Sequence, residues 1–166
     1  GRQGYIVCPL VEENEALDIT SAEEYYEKLK NGEFKGYSIG LLHGKMKPKE
    51  KDAVMRRFAA GEIQLLISTT VIEVGIDVPN AVVMVIENAE RFGLSQLHQL
   101  RGRIGRGSYK SSCILISDSR SEDTRKRLNV IKNNRDGFKI ADEDLKLRGP
   151  GDFLGSRQHG LPDMKI

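Results

Sequence analysis

Apolar residues fall in short dense blocks along the first two thirds of the chain, and polar residues with a helical spacing separate the blocks. Residues 4–9 form the first block, which Pro9 ends. Residues 38–42, 63–68, 81–86 and 113–117 form four more, rich in Ile, Leu and Val. Runs this short and this apolar, bounded by turn residues, read as strands buried on both faces. Between them the period changes. After an acidic loop over 12–18, Ser21 with Glu24 three residues later has the form of a capping box, and it predicts a helix to about Asn31. Pro48 suits the first turn of a helix running through Phe58 and closed by Gly61. Residues 94–102 predict a short helix. Strand and helix alternate, so the predicted fold class is α/β, a parallel sheet with helices on both faces.

After Asp118 the alternation stops. Residues 121–134 predict a basic helix with Leu128 and Ile131 as its apolar contacts, Asp136-Gly137 a turn, and residues 138–147 a second helix. Arg148-Gly149-Pro150-Gly151 breaks that helix, and the remainder reads as loop, with Gly155, Gly160 and Pro162. The expected organisation is an α/β domain over 1–118 and a helical hairpin with an extended loop over 119–166.

Composition refines this picture. An apolar share of 39% and a charged share of 30% are those of a globular chain. No apolar run approaches the ~20 residues of a membrane span and no signal peptide is visible, so no membrane partner is expected. The chain opens without an initiator methionine and is expected to be a piece of a longer protein. Cys8 and Cys113 each sit in an apolar block with no Cys/His ligand spacing, which predicts buried, reduced thiols, no bound metal and a cytosolic protein. The net charge of +2 conceals an asymmetry: residues 1–100 carry 11 Lys/Arg against 15 Asp/Glu, and residues 101–166 carry 15 against 9. An anionic partner is expected toward the second half, although a solvated basic helix face accounts for many of these charges.

Candidate chemistry is densest at Gln99-Leu100-Arg101-Gly102-Arg103-Ile104-Gly105-Arg106-Gly107. Arginine offers a permanently charged planar fork that matches phosphate oxygens. If the segment is helical, the spacing of Arg103 and Arg106 puts both guanidiniums on one side. Gly102, Gly105 and Gly107 leave the backbone open to a bulky anion. Two readings stand: arginine fingers for phosphoryl transfer, or an Arg/Gly loop that binds nucleic-acid phosphates without specificity. At the exit of the third strand, Thr69 and Thr70 can bind a phosphate together with free backbone N–H groups, or cap a helix. Gly75 permits a tight turn, and Asp77 can accept from a ribose hydroxyl or serve as a turn residue. His43-Gly44 closes the second strand and opens a basic stretch through Lys45, Lys47, Lys49, Lys51, Arg56 and Arg57. His43, Thr69 and Thr70 all lie at carboxyl ends of strands, where parallel sheets gather ligands. Asp142-Glu143-Asp144 has the look of a magnesium motif but follows a helical pattern, so it reads as helix surface. No G-x-x-x-x-G-K-[ST] phosphate loop is present. A nucleotide met by the arginines would therefore be held mainly by another domain.

Taken in order, these segments resemble superfamily 2 helicases: residues 68–79 are similar to motif V, and residues 99–106 to the Q-x-x-G-R-x-G-R of motif VI. Residues 86–103 and 144–160 narrow the resemblance to the RecG family of ATP-dependent DNA helicases. Arg148-Gly149-Pro150-Gly151 and Arg157 favour that family over the transcription-repair coupling factors, in which Arg-Gly-Ala-Gly is expected. RNA helicases lack the 148–160 loop. The resemblance implies a second RecA-like domain and a translocation-motif region of an ATP-driven DNA translocase that remodels stalled forks and branched junctions. It implies ATP with Mg2+, held mainly by a first RecA-like domain outside this chain, and as partners branched or forked DNA and the N-terminal RecA-like and wedge domains of a monomeric, cytoplasmic bacterial protein. By position, Arg103 and Arg106 would meet the γ-phosphate with Gln99 beside them. Gly75 and Asp77 would approach the nucleotide. His43, Gly44, Thr69 and Thr70 would lie against DNA, and Arg148, Arg157 and Gln158 would belong to a coupling loop. The isolated chain is expected not to turn over ATP. The alternatives are a coupling-factor translocase domain and a non-catalytic nucleic-acid-binding module.

Overall fold

Strands β1 (Gln3–Val7), β2 (Ile39–Leu42), β3 (Leu65–Ser68), β4 (Ala81–Ile86) and β5 (Ser112–Leu115) lie side by side in the order β2-β3-β1-β4-β5, and every pairing is parallel. They belong to a computed structural model that describes residues 1–9, 15–69 and 76–148, without the side chains of 15–20 and of Arg148. Thr70, Gly75, Arg157, Gln158 and the predicted loop beyond Arg148 lie outside the described residues. The described residues form five α-helices, α1 (Glu15–Asn31), α2 (Pro48–Ala59) and α3 (Leu94–Arg101) between strands, and α4 (Glu122–Asn133) and α5 (Gly137–Arg148) after the last one.

The strand pattern decides which helix goes where, because successive side chains point to opposite faces. Tyr5 and Val7 of β1, with Leu66 and Met84 beside them, turn to one face and meet Met55 and Phe58 of α2 and Leu94, Leu97 and Leu100 of α3. The rings of Tyr5 and Phe58 lie 4.9 Å apart at a tilt. Ile6 and Ile67 turn to the other face and meet Leu29 of α1, with Tyr25 and Tyr26 alongside. Helices on both faces are thus present, with one exception. On the α1 side the β4–β5 end of the sheet is open, leaving Val83, Ile114 and Ile116 exposed.

Ile131 of α4 and Ile140 of α5 join the same core as α2 and α3, so the hairpin is packed on the sheet layer. Two arginines tie it there through backbone carbonyls. Arg101 donates to the carbonyls of Ile131 at 2.5 Å and Asn134 at 2.7 Å. Arg127 donates to those of Glu90 and Phe92 at 2.8 and 2.7 Å.

Three local expectations need correction. Helix α1 begins at Glu15, so Ser21 and Glu24 lie inside it and form no capping box. Helix α3 stops at Arg101, because Gly102 caps it and Gly105 takes φ +76°. Arg103 and Arg106 therefore do not share a helical face. Strand β5 has an exposed side instead of two buried ones.

Candidate functional site

The candidate residues divide between the two edges of the sheet. α3 runs back against the strand direction, so the arginine segment returns to the edge where the strands begin. His43 and Thr69 sit at the opposite edge, where β2 and β3 end.

The arginine turn is built by α3 and two glycines. Gly93 and Gln96 close the N-terminus of α3, the Gln96 side chain accepting from the Gly93 N–H at 2.9 Å. Leu94, Leu97 and Leu100 bury one stripe of the helix and leave Gln99 exposed. Ile104 is buried beyond the cap and pins the turn to the core, while Arg106 faces outward. A Cβ on Gly105 would stand 2.5 Å from Ser111 Oγ, and one on Gly107 would stand 2.7 Å from the Pro79 carbonyl oxygen. Gly105 is required by its φ of +76° and Gly107 by the Pro79 backbone, and Gly107 brings the turn hard against Pro79. The loop is further tied to the start of β1: the Arg2 guanidinium stacks 3.2 Å from the centre of the Tyr109 ring and donates to Asn80 Oδ1 at 2.9 Å.

In this turn Arg106 makes two bonds. Its Nε donates to the Gly102 carbonyl at 2.9 Å, and its Nη1 pairs with Asp77 Oδ1 at 2.5 Å. The two side chains are 42% and 55% exposed, so the pair contributes only about 0–1 kcal/mol to stability. Below them lies the buried phenol of Tyr5. Burial pushes its pKa up to about 12; Arg103 pulls it down, Asp77 pushes it up and Arg106 pulls it down more weakly. A groove of about 1220 Å³ opens beside the turn, lined by Gln99, Arg101, Arg103, Arg106, Lys132 and Arg135, with no carboxylate on its walls. Its electrostatics suit an anion.

At the other edge the Thr69 N–H donates to the Leu42 carbonyl at 3.1 Å, which ties the ends of β2 and β3 together. Thr69 Oγ1 and His43 Nδ1 are both buried and have no hydrogen-bond partner among the described residues. A buried hydroxyl or imidazole nitrogen without a partner costs free energy and invites a ligand group. Gly44 and Lys45 beside them are exposed.

Among the described residues no group of His, Cys, Asp and Glu is arranged to hold a metal ion. Asp142 and Glu143 are paired with Lys146 at 2.7 and 2.8 Å on the surface of α5, as expected of a helix surface. Cys8 and Cys113 are free thiols, partly buried instead of fully buried as expected, and desolvation pushes them up to about 12 and about 11. Among the described residues no helix is long and apolar enough to cross a membrane.

Sequence reasoning missed the Arg106–Asp77 pair and the role of Arg101. Both join residues far apart in the chain, and neither has a local pattern. The Gly107–Pro79 approach had a signal in the glycine itself, but its partner could not be read.

Comparison with known proteins places these features in a family. The helicase conserved C-terminal domain matches residues 1–108, and the C-terminal part of domain 3 of ATP-dependent DNA helicase RecG matches residues 134–166. Over its whole length the chain is 57% identical to the ATP-dependent DNA helicase RecG of Synechocystis sp., 53% to that of Bacillus subtilis and 54% to that of Thermotoga maritima. It spans only 20%, 24% and 21% of those proteins. A structure of RecG bound to a three-way DNA junction superposes with a TM-score of 0.77 at 52% identity, covering 99% of this chain and 21% of that one. The C-terminal domain of the DEAD-box protein Dbp5 shares the fold, with a TM-score of 0.55 at 23% identity over 90% of this chain and 72% of its own.

Proposed function

The chain belongs to the helicase conserved C-terminal domain family, and from that premise we propose that it is the finger-bearing motor segment of an ATP-dependent DNA translocase of the RecG type, which remodels forked and branched DNA. The observation that carries this reading is the outward presentation of Arg106 by a turn whose flanking glycines admit no side chain. A guanidinium fixed in this way stabilises charge that spreads over a transferring phosphoryl group and needs no reorganisation during the reaction.

In this reading Arg106 and Arg103 reach the γ-phosphate across a cleft, with Gln99 at its side. Asp77 and Gly75 approach the rest of the nucleotide. The nucleotide itself, with Mg2+, rests mainly on a first RecA-like domain; this chain has no phosphate loop, and its contribution is positive charge. The basic groove beside Arg106 fits an anion and gives no carboxylate for a metal. His43 and Thr69, with Gly44 and Thr70, take the phosphate backbone of DNA, and the unpartnered Nδ1 and Oγ1 supply polar contacts there. Arg148, Arg157 and Gln158 belong to the coupling loop. The division into 1–118 and 119–166, a monomeric state, a wedge domain elsewhere in the parent and a bacterial cytoplasmic, nucleoid-associated location complete the proposal.

Replacing Arg106 by alanine in the full-length protein should lower ATP turnover on forked DNA by on the order of 10³ or more. Unchanged turnover overturns the assignment. Stimulation by a fork well above that by linear duplex supports the junction reading. Equal stimulation favours a coupling-factor translocase, to be followed by a polymerase-displacement assay.

A further inference from the structure

The finger reading sends Arg106 to a γ-phosphate and Asp77 to a ribose, yet here the two side chains meet each other. In one nucleoside triphosphate the ribose and the γ-phosphate are separated by two further phosphate groups. Both assignments and the direct ion pair therefore cannot hold at once. We propose that Asp77 is a positioning residue whose carboxylate stands in for the γ-phosphate and keeps Arg106 in its finger turn while no triphosphate is bound. The inference rests on the finger reading of Arg106.

Four observations support it. The guanidinium is already oriented: Nε is spent on the Gly102 carbonyl, which leaves Nη1 aimed at one anion. The contact is built into the backbone, because Gly107 lets the turn close on Pro79, two residues beyond Asp77. Carboxylate and phosphate oxygens accept from the guanidinium fork in the same way, so one can replace the other without moving the arginine far. The pair is roughly half exposed, so it is screened, weak and open to exchange. Binding of a triphosphate is then an exchange of anions on one cation: the Asp77 carboxylate is released from the guanidinium, and the γ-phosphate takes its place. A diphosphate leaves the pair intact. Asp77 thereby sets how strongly the motor distinguishes triphosphate from diphosphate.

The test is Asp77→Asn in the full-length protein, with AMP-PNP and ADP affinities measured by calorimetry without DNA. The proposal expects the affinity ratio to shift toward AMP-PNP by about twofold to fivefold, the range of an exposed ion pair, and expects no such shift when Asp77→Asn is made on Arg106→Ala. Equal changes in both affinities assign Asp77 to the ribose alone and overturn the proposal. A shift that persists without Arg106 is general repulsion between carboxylate and nucleotide, and also overturns it. If Arg106→Ala by itself leaves both turnover and the ratio unchanged, the finger reading fails and takes this inference with it.

Discussion

Gly107 sets the position of the neighbouring Arg106 through backbone packing alone. A methyl group there would stand 2.7 Å from the Pro79 carbonyl, so Gly107→Ala must push the arginine turn off residues 77–79. Urea denaturation should show a loss of about 1–3 kcal/mol, and the full-length variant should lose ATP turnover although both arginines remain. The thiols make a second case at this scale. Their folded pKa values are raised from 9.0 to about 12 for Cys8 and about 11 for Cys113. Protonated thiol is the form that the fold favours, so this contribution is complete below pH 9 and is lost as the pH rises toward the folded values. Thermal unfolding followed from pH 8 to 11 should show the melting temperature falling above pH 9, and Cys8→Ala should reduce that slope. At pH 8 both thiols should label slowly with a disulfide reagent and rapidly once urea unfolds the chain.

At the scale of elements, the pattern of apolar blocks located the five strands of the described residues and their parallel pairing but not their order in the sheet, and β4 was read to the residue. Pro48 and Leu94 marked helix starts for local reasons of backbone chemistry and burial. The start of α1 was misread because Ser21 and Glu24 imitate a cap in a segment that the chain continues as helix. The turn of Ala89–Arg91 was unforeseen, since three residues give no period to detect. Tertiary links were less legible. Arg101 has the same look in sequence as its neighbours Arg103 and Arg106, yet it closes the end of α4 by donating to the carbonyls of Ile131 and of the capping residue Asn134. Arg101→Leu should strand those carbonyls and destabilise the chain by about 1–3 kcal/mol. Hydrogen exchange should speed up first at the end of α4 and the start of α5.

For the whole molecule, two residue sets that sequence could only list side by side turn out to occupy opposite edges of one sheet. His43 and Thr69 were legible from their place at strand ends. The location of the arginines was not, because it depends on α3 running the full height of the sheet. The isolated chain, having half of the proposed nucleotide site, should show no ATP turnover. Hydrolysis by the purified chain that persists when Arg106 is replaced would point to a contaminant, and loss on that replacement would contradict the half-site reading. Its affinity for DNA should fall steeply with salt, as expected of phosphate contacts.

The two edges are joined by strands of four to six residues, rods about 3.3 Å per residue in length. Substitutions at one edge are too far from the other to share partners, so their costs in folding free energy should simply add. On the proposed function, work done by the motor would obey a different arithmetic, because each turnover would need both edges in the same molecule. Pairing a Thr69 variant with an Arg106 variant would expose that contrast: independent contributions to folding, and a joint requirement in translocation.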